Sequence, residues 1–333
     1  MPKKATVVKR TRPDQSYWIG FDLGGTKMMA CVLDEHYKVI AIAKKSTQGA
    51  QGPIKGLSRI KATIDEALAL AGISREQIKG IGMGCPGTVN TKTGTLVHAP
   101  NLGWNRIPLG PRLSTTFKCP VVLLNDVDAG TYGEYALGAG KGSHSLLGVF
   151  PGTGLGAGFV FAGNILQGKT ISCMELGNIW IPGTHLNSSL PGVALLEDLT
   201  SRLGIAAAAS VECYRGKAPA LDAKTNASLR EIKSKALTAS FKAKETTVNV
   251  FNNSVHYLGM GIAMAVNLLG PDHITLGGGL VEEMPRYYLD QIRTQVGRYA
   301  VPEIFRGIKF SVAKLGDRAV AVGSVAWLRK EKA

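Results

Sequence analysis

The sequence is short of cysteine, of aromatic residues and of acids. Its five cysteines, Cys31, Cys85, Cys119, Cys173 and Cys213, are scattered and odd in number. None forms a C-x-C or C-x-x-C pair, so neither a disulfide framework nor a cysteine zinc site is supported. Free thiols of this kind fit a reducing cytoplasm. A membrane span is also missing. Residues 146–166 are uncharged and long enough to cross a bilayer, but they hold Pro151 and six glycines in a pattern that breaks a helix. The start shows no signal peptide, because its basic residues lead into Thr11-Arg12-Pro13-Asp14 and not into an apolar core. Acids are outnumbered by bases, 24 to 39, which leaves a net charge of +15. Such an excess favours an anionic ligand: nucleotide, polyphosphate or nucleic acid. Part of it lies in Lys3, Lys4, Lys9, Arg10 and Arg12. Residues 1–16 therefore read as a disordered basic arm, a solubilising tail rather than a nucleic-acid arm.

What is present is glycine and ordinary apolar content. The 333 residues are 45% apolar, enough for two domains of normal size or one large one. The 41 glycines predict many tight turns and close backbone approaches to ligand. Residues 17–21, 28–33 and 39–44 read as a three-strand meander whose first turn is Asp22-Leu23-Gly24-Gly25-Thr26-Lys27. A dinucleotide fingerprint would run strand, G-x-G-x-x-G, helix. Here the glycines join two strands, which argues against a Rossmann site. Residues 56–71 have helical apolar spacing, ended by Gly72. Residues 78–83 are a buried strand, 88–108 are loop-like, and 109–117 form a short helix. Residues 145–150 and 157–161 are strands joined by a second glycine turn, so the first hairpin is weakly repeated. Residues 194–203 read as the beginning of a helix, and residues 204–224 have little pattern and read as mobile. Residues 245–269 form a long helix with a core-facing stripe. A strand at 273–276, a helical pattern to about Ala300, a strand at 308–313 and a helix at 319–330 complete the chain.

Residues 121–134 organise the rest: V-V-L-L-N-D-V-D-A-G-T-Y-G-E. Four apolar residues form a buried strand, Asn125 and Asp126 stand at its end, and a helix start is expected at residues 128–131. A strand end beside a helix N-terminus is where open α/β folds bind ligands. A carboxylate of ordinary acidity is ionised there at neutral pH and can accept a substrate hydroxyl proton, given the right position. The plainer alternative makes Asp126 a cap or turn residue only.

Six motifs follow one another in order: D-L-G-G-T-K (22–27), G-x-G-x-P-G (82–87), N-D (125–126), G-T-G-L-G-A-G (152–158), E-L-G (175–177) and I-T-L-G-G-G (274–279). Each is weak alone. Together, at these separations, they resemble the ROK family of sugar kinases, within the actin/hexokinase/Hsp70 superfamily, over residues 17–331. The resemblance implies an α/β, two-lobed actin/hexokinase-like (ribonuclease H-like) fold with a cleft between the lobes. It implies a small lobe of residues 17–124 plus 319–331, and a large lobe of 125–318. Phosphoryl transfer needs phosphate positioning, a divalent metal and an aligned nucleophile, and glycine tips let backbone N–H groups approach phosphate oxygens.

By resemblance, Gly24, Gly25, Thr26 and Lys27 form one phosphate tip and Gly152, Thr153, Gly154 and Gly156 the other. Asp22 lies near Mg²⁺, through water, and Gly277, Gly278 and Gly279 form the adenosine turn. Asp126 is the base. Asn125, Glu175, Asn178, Glu197 and Gly87 contact the sugar. The cofactors implied are ATP and Mg²⁺; the partners are a hexose, glucose first, and a second copy in a homodimer. Two departures stand out. The family's zinc cysteines are absent from residues 182–197, and the family's E-[IL]-G-H motif ends in Asn178. No zinc is therefore expected, and polyphosphate is an alternative donor, since polyphosphate glucokinases of the family also lack these cysteines. Another hexose or an N-acetylhexosamine is an alternative acceptor. A sugar-responsive regulator is the reading of a different class. Regulators of the family carry a DNA-reading domain before the first strand, and sixteen residues precede Tyr17 here, so sequence-specific DNA binding is not expected.

Overall fold

The computed structural model describes residues 15–169, 171–183 and 190–332. Most of the basic arm, residues 1–14, and part of the segment that lacks the cysteines, residues 184–189, lie outside them. In chain order the strands and helices begin β1 (Tyr17–Leu23), β2 (Lys27–Leu33), β3 (Val39–Ser46), α1 (Pro53–Ala71) and β4 (Ile78–Cys85). Next come β5 (Thr88–Asn90), β6 (Thr95–Ala99), β7 (Trp104–Ile107), α2 (Leu109–Phe117), β8 (Val121–Asn125) and α3 (Asp126–Leu137). The chain continues through β9 (Ser145–Pro151), β10 (Leu155–Phe161), β11 (Asn164–Ile165), β12 (Trp180–Pro182), β13 (Val193–Leu195), α4 (Leu196–Thr200) and α5 (Arg202–Tyr214). It ends with α6 (Pro219–Thr225), α7 (Ser234–Lys242), α8 (Thr247–Leu269), β14 (His273–Leu276), α9 (Gly279–Glu283), α10 (Pro285–Tyr299), α11 (Pro302–Arg306), β15 (Lys309–Val312) and α12 (Ala319–Glu331).

Two compact units result. The first contains the described residues up to Gly142, those within 164–173 and those from Leu315 on; the second contains the described residues within 143–163 and 174–314. In the first, the sheet order is β3-β2-β1-β4-β8, antiparallel within the meander and parallel from β1 through β4 to β8. The period of two in β1 divides its faces. Tyr17, Ile19, Phe21 and Leu23 pack with Leu57, Ile60 and Ile64 of α1, so α1 buries the apolar stripe that its spacing predicts. Gly20 faces the other way, where α12 lies. A Cβ at Gly20 would stand 2.2 Å from Ala321 O, and one at Gly82 2.3 Å from Ser324 O. Glycine thus lets a helix backbone rest directly on strand backbone. Neither contact can yield, because both are main chain. Gly82→Ala should destabilise the protein by about 2–3 kcal/mol, the usual scale of overpacking, and lower Tm by roughly 5 °C. A melting curve unchanged by that substitution would contradict this packing.

The second unit repeats the scheme. β9 and β10 form an antiparallel hairpin, and β9, β14 and β15 run parallel. One face is buried by α8, whose Phe251, Val255, Leu258 and Ile262 join Leu147, Val149 and Ile274 in one core.

Four expectations need correction. Residues 88–108 are not loop but the antiparallel sheet β5-β6-β7. Residues 204–224 are largely helical, in α5 and α6, with Ile205, Ala206, Ala209 and Cys213 buried. Residues 193–195 are a strand paired with β12, not a helix start. Helix α3 begins at Asp126, two residues earlier than expected. The compact units also part after Gly142, whereas the sequence reading put the boundary at 124/125. α3 stays with the first sheet because it crosses α12 backbone to backbone: a Cβ at Gly133 would meet Ala319 O at 2.6 Å.

Candidate active site

In the first unit the site residues stand at the C-terminal ends of parallel strands. β4 is flanked by β1 and β8, with Asp22 opposite Gly84 and Asn125 opposite Cys85. Asp22 and Asn125 are therefore two strand spacings apart, roughly 10 Å. The Cys85 thiol lies between the acids: burial pushes its pKa up, and the charges of Asp126 and Asp22 add to the effect.

Asn125 is more constrained than a sugar contact need be. Its Oδ1 accepts from Val127 N at 2.8 Å and Asp128 N at 3.2 Å, which makes it the N-cap of α3. Its Nδ2 donates to Gly87 O at 3.0 Å, which leaves one amide hydrogen for a ligand. Gly87 has φ +81°, and a Cβ there would meet His98 O at 2.2 Å, so only glycine fits. Asp126 is not the cap. It is the first helical residue, half-buried, with Oδ1 3.0 Å from its neighbour's N–H on Val127. An acid at that position is favoured by the helix dipole.

The first glycine tip closes tightly, Gly24 N donating to Lys27 O at 3.0 Å. Thr47, which the sequence reading missed, braces it. Thr47 Oγ1 donates to Gly24 O at 2.7 Å and Thr47 N to Thr26 O at 2.9 Å. Gly25 lies beside Asn101, 3.5 Å from a Cβ position. Asp22 is half-buried. Burial pushes its pKa up to about 6, Lys27 and Lys44 oppose the rise, and Asp317 adds to it. Asp317 in turn pairs with Lys44 at 3.3 Å and Lys27 at 3.9 Å. Asp317 too was not singled out in the sequence.

In the second unit three of the six motifs, with Glu197 and Arg202, meet at the end of the β9–β10 hairpin. Gly152 N donates to Gly154 O at 2.8 Å across the tip. Gly156 pairs with Phe150 in the hairpin ladder. The Glu197 carboxylate fills the space a Cβ at Gly154 would need, and its Oε2 accepts from Leu155 N at 2.7 Å. Gly177 packs against Leu155 O and Glu197 Cβ. Beside it the exposed Asn178 donates through Nδ2 to Glu175 Oε2 at 3.0 Å. Gly277 N donates to Val149 O at 3.0 Å. Gly278, at φ +92°, would place a Cβ 2.6 Å from Pro151 O. Thr153 Oγ1 accepts from Arg202 Nη2 at 3.2 Å, an arginine with no sequence signal of its own.

The profile of the ROK family matches residues 18–331. This chain belongs to the ROK family. The glucokinase of Halalkalibacterium halodurans is 31% identical over 321 residues, 95% of this chain and 96% of that one. The xylose repressor of Caldicellulosiruptor bescii is 25% identical over 96% of this chain and 80% of its own length. Among solved structures, a ROK glucokinase from Streptomyces griseus in complex with glucose and AMPPNP superposes with a TM-score of 0.79 at 27% identity, covering 95% of this chain and 100% of that one. The ROK fold of this chain is thus the two-lobed actin/hexokinase-like one. Among the described residues of this ROK protein no group of three or more His, Cys, Asp or Glu could hold a metal ion, and no helix is long and apolar enough to cross a membrane.

Proposed function

We propose that this ROK protein is an ATP-dependent hexose kinase of the glucokinase type, transferring the γ-phosphoryl group to a hydroxyl of glucose. The observation that carries the reading is Asp126, at the C-terminal end of β8 and in the first turn of a helix capped by Asn125. There it accepts the hydroxyl proton as the sugar oxygen attacks the γ-phosphorus, and ADP leaves. Backbone N–H groups at residues 24–26 and 152–154 hold phosphate oxygens. Glu175, Asn178, Glu197 and the free amide hydrogen of Asn125 contact the sugar, and Gly277–Gly279 takes the adenosine.

Mg²⁺ fits Asp22. Its carboxyl, half-buried and raised to about 6 with the charge of Asp317 adding to the rise, suits a cation that binds through one or two acids and otherwise keeps water and phosphate ligands. When bound it supplies charge neutralisation at the phosphates. The free thiols fit a cytoplasmic enzyme.

ADP release, followed with glucose, mannose, fructose and N-acetylglucosamine and with ATP and polyphosphate as separate donors, tests the reading. Glucose with ATP is expected to give the highest kcat/KM. Sugar binding without sugar-dependent phosphoryl transfer from either donor would favour a regulator, the reading that the xylose repressor relative supports. Within the same panel, Asn178→His should shift KM ratios among sugars by a few-fold to about tenfold and kcat less. One neutral hydrogen bond contributes about 0.5–1.5 kcal/mol, and a contact shared by ground and transition states alters binding uniformly. Unchanged ratios would place Asn178 outside the sugar site.

A further inference from the structure

Arg202 opens α5 and is fixed to the second glycine tip at two points. Its backbone N–H donates to Gly152 O at 2.8 Å, and its Nη2 donates to Thr153 Oγ1 at 3.2 Å. Ser201 caps the helix beneath it, accepting from Gly204 N at 3.1 Å. Among the described residues no carboxylate lies within salt-bridge distance of Arg202. The guanidinium has five N–H groups and spends one on a hydroxyl, so four donors and a full charge stand unmatched at the tip.

A purely structural role explains little of this. The backbone bond to Gly152 already ties α5 to the hairpin, and any residue except proline supplies it. Glu197 independently secures the other side of the tip through Leu155 N. What the side chain adds is an oriented cation, and the planar fork of arginine matches phosphate oxygens two at a time.

We propose that Arg202 binds the terminal phosphoryl group of the donor, with the Thr153 hydroxyl aiming its guanidinium. The inference rests on the kinase reading above. The order of contacts along the hairpin selects the terminal group. The glycine turn assigned to adenosine packs against Pro151, through Gly278. Gly152 and Thr153 follow, and Arg202 meets the chain at Thr153, farthest along from the nucleoside end. The chemistry it recognises is a terminal phosphate ester or anhydride, which ATP and polyphosphate share.

The test is equilibrium binding to the full-length protein with Mg²⁺, using AMPPNP and ADP as probes. Arg202→Gln should weaken AMPPNP about tenfold or more while ADP and glucose stay within about twofold, because only AMPPNP carries the third phosphate. Equal affinities in variant and wild type, or equal losses for AMPPNP and ADP, would reduce Arg202 to a tether and overturn the inference. Should Arg202→Gln not fold, Arg202→Lys takes its place. It keeps the charge and the backbone bond but loses the fork, so an unchanged preference for AMPPNP over ADP would be equally fatal. A wild-type protein that binds neither nucleotide overturns the kinase reading itself, and this inference with it. Displacement of AMPPNP by inorganic polyphosphate, weaker in Arg202→Gln, would extend the contact to that donor; absence of displacement assigns it to the nucleotide alone.

Discussion

Asp126→Asn should reduce kcat about 10³-fold and leave the KM for glucose within about tenfold. Proton acceptance by a positioned carboxylate is worth roughly 10²–10⁴ in rate, and the amide cannot supply it. Its shape survives. The carbonyl oxygen of Asn can still accept from Val127 N, as Asp126 Oδ1 does at 3.0 Å, and the cap by Asn125 is untouched. Loss of a negative charge from the first turn of α3 costs about 0.3–1 kcal/mol, so Tm should fall by no more than about 3 °C. Steady-state assays beside calorimetry separate the two effects. Turnover near the wild-type level would remove Asp126 from the chemistry, and a collapse of Tm would make it structural.

Asp22→Asn should do something less usual: remove most activity and raise stability together. The carboxyl has a pKa of about 6 in the folded protein against 3.8 for the free group, chiefly through burial. Between those values the folded state binds more protons than the unfolded one. Stability therefore falls as pH rises through about 4 to 6 and stays low above. At 1.36 kcal/mol per unit, and allowing for partial solvent contact, the penalty at pH 8 is on the order of 1–3 kcal/mol. The amide carries no such penalty. The variant should melt a few degrees above wild type at pH 8, and the gain should vanish near pH 4. Over the same range kcat/KM for ATP should drop about a hundredfold in the variant. In the wild type it should decline as pH falls through about 6, less steeply at high Mg²⁺, since a cation stabilises the ionised form. Superimposable Tm–pH curves for the two proteins would show that burial does not strain this carboxylate.

How much of this was legible in the sequence depended on contrast. The glycine tips, the apolar strands before them and the stripe of α1 are local patterns, and all stand where the sequence placed them. The sheet β5-β6-β7 did not show, because strands of three to five residues are too short to display alternation. Helix α5 was missed for the opposite reason. Its run Ala206-Ala207-Ala208-Ala209 is nearly uniform, so the buried Ala206 and Ala209 look like their neighbours. The start of α3 was misplaced because Asn125 ends a strand and caps a helix at once, and a pattern reading gives each residue one role. Within the candidate site, residue types at strand ends were readable. The partners were not. Glu197 and Leu155 are 42 residues apart, Arg202 and Thr153 are 49, and nothing in either stretch points to the other.

The glycine-lined seat for α12 also sets an order on synthesis. The face of β1, β2 and β4 that α12 covers, and the flank of α3 against Gly323, are completed by residues 319–331. These residues are made only after the whole of the second unit. From Gly142 to Ala319 the chain must grow by a further 177 residues, roughly 10–35 s at common elongation rates. Through that interval Met29, Cys31 and Leu33 lack the apolar cover they have in the finished protein. The nascent first unit thus exposes apolar surface of the kind chaperones bind, whereas the second unit has its own sequence complete before residue 319 is made. Ribosome-bound chains stalled after residue 310 should be cleaved by protease within residues 17–142 far faster than chains extended past residue 333 by a linker.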